Sequence, residues 1–103
     1  MLQLNQFEVR LLGDIRERRR IGKRGLPVYL VRDEPVKVRF TASDRATVIA
    51  VSKAVGTTEA QFLYTLVISS IRNMMQKNPL IAQTIRMELI RGGKILPDWM
   101  NEL

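Results

Sequence analysis

The sequence predicts a mainly α protein with one short β-strand per chain, assembled as a dimer. Three observations predict it. Residues 36–41 alternate, with Val36, Val38 and Phe40 on one side and Lys37, Arg39 and Thr41 on the other, as expected where successive strand side chains point to opposite faces. Residues 42–77 carry two helical patterns separated by Gly56 and Thr57. Further helical patterns precede and follow that stretch. A lone strand leaves both of its edges without backbone partners, and a segment of roughly 40 residues lies near the lower limit for folding by itself. Pairing two copies answers both problems.

Charge and composition narrow the function. The chain has 103 residues and a net charge of +7, with a pI near 10.6. Residues 1–41 hold ten Lys/Arg against five Asp/Glu, and residues 42–103 hold seven against five, so most of the surplus sits in the first part. Such a balance favours nucleic acid or another anionic surface as partner. Cysteine and histidine are both absent, which excludes disulfides, thiol catalysis, cysteine-ligated zinc and the commonest general base. Asp14, Glu17, Asp33, Glu34 and Asp44 show neither metal-ligand nor paired-acid spacing, and no glycine-rich phosphate loop is present. Neither an enzyme nor a cofactor is expected. No apolar run approaches the ~20 residues that cross a bilayer, and no signal-peptide pattern opens the chain, so a cytoplasmic, nucleoid-associated location is expected.

In order along the chain, Leu4, Phe7, Leu11 and Ile15 recur at helical spacing, and Asn5 with Glu8 fits a capping box. These predict a helix over 6–19, although Gly13 costs it about 1 kcal/mol relative to Ala. Residues 16–24, RERRRIGKR, gather Arg16, Arg18, Arg19, Arg20, Lys23 and Arg24 around one acid. Two roles fit this tract: an arm that tracks phosphates, or a solvated helix end whose cations favour the C-terminal dipole. Residues 28–31 are rich in β-branched and aromatic side chains and follow Pro27. With a turn at 32–35, they offer residues 36–40 an intrachain hairpin partner as an alternative to pairing between copies.

Thr41 and Asp44 predict the start of a second helix, with Val48, Val51 and Val55 buried and Gly56 as the left-handed residue that ends it. Thr58 and Gln61 repeat the capping signal for a third helix. Its broad apolar stripe is Ala60, Leu63, Tyr64, Val67, Ile68, Ile71, Met74 and Met75, and its narrow polar strip includes Gln61, Thr65 and Ser69. Asn78 and Pro79 open a fourth helix over 79–91, with Leu80, Ile81, Ile85, Leu89 and Ile90 apolar and Gly92-Gly93 as the stop. Trp99, the single tryptophan, either seals the core or anchors a protein partner.

The alternating strand, Gly56 and the Thr57-Thr58-Glu59-Ala60 helix start resemble the ribbon-helix-helix family of dimeric DNA-binding proteins, the Arc, MetJ and CopG type. The resemblance implies a ribbon-helix-helix dimer with extra N-terminal and C-terminal helices. It divides the chain into a basic helix and arm (1–34), a ribbon-helix-helix core (35–77) and a C-terminal helix and tail (78–103). It further implies that strands of two subunits pair and enter the major groove of double-stranded DNA. Lys37, Arg39 and Thr41 would read bases, with Pro35 where a third reader usually stands, and Thr57, Thr58, Glu59 and Ala60 would hold a phosphate. Arg16, Arg18, Arg19, Arg20, Lys23 and Arg24 would then add backbone contacts.

The function expected from this is a homodimeric, sequence-specific DNA-binding protein, such as a transcriptional repressor or a plasmid or antitoxin-type regulator. A higher oligomer and a protein partner docked on the C-terminal helix and Trp99 are compatible with it. The alternative is a subunit of a larger nucleoprotein assembly that grips nucleic-acid backbone without reading sequence.

Overall fold

A computed structural model describes residues 4–102. Among these the chain forms four α-helices, α1 (Gln6–Ile21), α2 (Ala42–Val55), α3 (Glu59–Lys77) and α4 (Pro79–Arg91), and three short 3₁₀ turns at Lys23–Gly25, Val28–Leu30 and Asp98–Glu102. The mainly α expectation holds. The chain divides between Leu66 and Val67 into two compact units, α3 giving its first part to one and the rest to the other.

The strand does not form, and with it the ribbon-helix-helix architecture is overturned. No β-strand is present among the described residues. Residues 31–41 run without helix or sheet, and Val36 and Val38 are 86% and 64% exposed. Alternation gives a strand only where one face is buried and the backbone finds a neighbouring strand, and this segment has neither. The hairpin alternative fails for a local reason. Val28–Leu30 instead closes into a 3₁₀ turn, Leu30 N–H donating to Pro27 O at 2.9 Å and Val31 N–H to Val28 O at 3.2 Å. Pro27, with φ of −56°, presets the entry to that turn.

In the first unit, α1 starts as its sequence specifies. Glu8 N–H donates to the Asn5 side chain at 2.8 Å, and Asn5 N–H donates back to the Glu8 carboxylate at 2.9 Å, a complete capping box. Phe7, Leu11, Leu12 and Ile15 are buried, each such side chain contributing roughly 1.5–3 kcal/mol of transfer free energy. Leu12 widens the expected stripe. Helix α1 runs two residues beyond its expected end, to Ile21, and Gly22 N–H closes it by donating to Arg18 O at 2.9 Å.

Helix α2 opens on Thr41, whose hydroxyl accepts from Asp44 N–H at 3.1 Å. It ends at Gly56, whose φ of 84° is a left-handed conformation that costs glycine little. Thr57 N–H and Gly56 N–H both reach Ser52 O at 3.0 Å. The valines at 48, 51 and 55 are only partly covered, and the buried residue of α2 is Ser52. Its hydroxyl donates to Val48 O at 2.6 Å, so burial leaves it satisfied.

Helix α3 opens on the Thr58 cap, whose hydroxyl accepts from Gln61 N–H at 3.2 Å. Its polar strip turns inward: Gln61 and Thr65 are 7% and 2% exposed, whereas Leu66 and Val67 are about half exposed. Gln61 is satisfied by Thr57, which donates to its side-chain carbonyl at 3.0 Å. In the second unit, Met75, Ala82 and Met100 form the core, with Ile71, Ile85, Leu89, Leu96 and Trp99 packed against it. Trp99 thus serves the core of this unit. Leu80, Ile81 and Ile90, expected among the apolar contacts of α4, are instead exposed.

Candidate functional site

The basic tract of residues 16–24 does not act as one block, because helix geometry and local partners divide it. Arg16, on α1, donates to Gly56 O at 3.2 Å, which ties α1 to the end of α2. Arg20 is held by Glu17 three residues earlier through its Nε at 3.1 Å and through a second, short hydrogen bond. This pairing, reinforced by the nearby positive charge, holds the Glu17 carboxyl below its usual range and raises Arg20. Arg24 is exposed.

The remaining three cations converge. Arg18, Arg19 and Lys23 line a cleft of about 220 Å³ together with Ile15, Gly22, Leu26, Leu30, Val31 and Arg32. Four cationic side chains therefore share one cleft, and among the described residues no carboxylate lines it. No ion pair involves any of the four among the described residues. The apolar floor comes from Ile15, 1% exposed, and from the loop that returns past the end of α1. That loop is fixed at its far side by Arg32, whose guanidinium carbon lies 4.8 Å from the centroid of the Tyr64 ring on α3, within cation–π range. The volume is below the roughly 300–1,000 Å³ usual for small-molecule pockets. It suits a charged group carried on a larger ligand better than a whole cofactor.

The other expected site residues lie elsewhere. Lys37 and Arg39 are exposed in the segment that forms neither helix nor strand, without the ribbon that would have aimed them at bases. Thr41 caps α2 and Thr58 caps α3. Glu59 pairs with Arg45 at 3.2 Å, so the start of α3 carries its own neutralised acid. Thr57 is engaged with Gln61, and Ala60 is exposed.

Arg32 is the cleft residue that sequence reasoning missed. Its position in a turn-like Arg-Asp-Glu-Pro run gave no sign that the loop folds back towards α1 and α3. Among the described residues no group of acidic side chains could hold a metal, and no helix is long and apolar enough to cross a membrane. Compared with protein families, characterised proteins and solved structures, the chain matches none.

Proposed function

We propose that this protein binds nucleic acid by its phosphate backbone, through the cleft formed by Arg18, Arg19, Lys23 and Arg32. The supporting observation is the convergence of four cations, drawn from α1, from the turn after it and from the loop that follows, on a cleft without a carboxylate. Phosphodiester groups are the natural ligands for such a constellation in a chain of this charge, since every neutralised phosphate releases condensed counterions. Lys37 and Arg39 supply two further exposed cations in the same unit. Binding of this kind is sequence-tolerant, and it suits a component of a nucleoprotein assembly.

Site-specific DNA regulation is the second proposal, favoured by the exposure of Lys37 and Arg39. One experiment separates the two. Fluorescence anisotropy with random and selected duplexes is run across a salt series, for wild type, for the Arg18→Ala/Lys23→Ala/Arg32→Ala variant and for Lys37→Ala/Arg39→Ala. Backbone gripping predicts similar affinity for all sequences, with a log–log salt slope that shrinks by roughly 0.7–0.9 for each phosphate that the cleft variant no longer neutralises. A strong preference for one sequence, abolished at positions 37 and 39 and untouched in the cleft variant, would favour regulation. Absence of salt-dependent binding to any nucleic acid would reject both.

A further inference from the structure

Tyr29 occupies the middle of the 3₁₀ turn Val28–Leu30 and is 56% exposed. A large aromatic ring left this open has no core role to explain it. Its neighbours explain its position: Leu30 and Val31 line the basic cleft, and Arg32 closes it. The turn is held from both sides. Two backbone hydrogen bonds close it, and the stacking of Arg32 on Tyr64 anchors its exit to α3. The ring is therefore presented from a turn closed by its own hydrogen bonds, one residue before the cleft-lining Leu30 and three before Arg32.

We propose that Tyr29 is a stacking platform for an unpaired base, so that the preferred ligand of the cleft is single-stranded nucleic acid. The inference rests on the phosphate-binding role of the cleft. Cations that follow the backbone next to an exposed aromatic ring form the usual pair of features in single-strand recognition, because every base has a π-face whatever its sequence. In a duplex the faces are occupied by neighbouring base pairs, and the ring finds no partner. Sequence tolerance follows from the same chemistry.

The test compares a single-stranded oligonucleotide with a duplex of equal length at one salt concentration, using wild type, Tyr29→Ala and Tyr29→Phe. Because base–aromatic stacking is worth ~1–3 kcal/mol per base, Tyr29→Ala should lose roughly 5- to 150-fold in single-strand affinity. Tyr29→Phe should keep the affinity, and duplex binding should be the same for all three proteins. Thermal melts should also coincide, since the side chain is exposed. Equal loss on both ligands, or no loss on either, overturns the stacking role while leaving phosphate binding standing. Failure of wild type to bind either oligonucleotide overturns the stacking role and the cleft's function together.

Discussion

The guanidinium of Arg32 lies over the ring of Tyr64, 4.8 Å from its centroid, joining the loop after α1 to the third helix. It adds a link to α3 to the short turns of the loop and to the partly covered Leu26, Leu30 and Val31. With it, Arg32 becomes the fourth cation of a cleft whose other three belong to residues 18–23.

A double-mutant cycle over Arg32→Gln and Tyr64→Leu, read by urea denaturation, should give a coupling energy of about 0.5–1 kcal/mol. The Arg32→Gln variant should also bind nucleic acid with a shallower salt slope than wild type. A coupling near zero would show that the loop is positioned by other means.

Glu17 restrains the basic face by holding Arg20. Glu17→Gln should tighten nucleic-acid binding severalfold at low salt, and the gain should fade as salt rises. In an NMR titration the Glu17 carboxyl should titrate below the ordinary glutamate value and return to it in Arg20→Gln. A carboxylate lowered in the folded state adds stability above its unfolded pKa and loses it as pH falls through the folded one. For this fully exposed pair the acid-side loss should therefore be small and salt-sensitive.

The hydroxyl of Thr65 is buried without a hydrogen-bond partner among the described residues. It lies beside a small cavity of about 30 Å³ lined by Leu4, Glu8, Leu12, Val55, Phe62 and Leu66. Thr65→Val keeps the shape and removes the unsatisfied group, and it should raise stability by about 1 kcal/mol. A destabilised variant in urea denaturation would mean that the hydroxyl has a partner in solution.

Thr41 separates a capping role from a base-reading one. Thr41→Ala should cost about 1 kcal/mol of stability, while Thr41→Ser should restore most of it, and nucleic-acid affinity should stay unchanged in both. A change in sequence preference without a change in stability would return Thr41 to the reading surface.

Most local signals in which a side chain meets its own backbone were legible in the sequence, although Asn78 makes no capping hydrogen bond at the start of α4. The Asn5–Glu8 box, the Thr41 and Thr58 caps, Gly56 and the Pro79 start of α4 all appear where spacing places them. Tertiary context overrode the rest. The 36–41 alternation is a sound strand pattern, but it lies where no strand edge meets it, so the ribbon inferred from it does not exist. Gln61 and Thr65 belong to a strip whose polarity points to solvent, yet both are buried in the first unit. Three of the four cleft cations are among the expected phosphate contacts, but their separation from Arg16 and Arg20 depends on Gly56 and Glu17. Only the folded chain brings Arg32 to join them.

The most direct measurement is backbone NMR chemical-shift mapping during titration with a short single-stranded oligonucleotide at moderate salt. Phosphate binding in the cleft predicts that the largest changes fall on Arg18, Arg19, Gly22, Lys23, Leu30 and Arg32, with Tyr29 among them. Changes confined to Lys37, Arg39 and Thr41, or to α4, would contradict it.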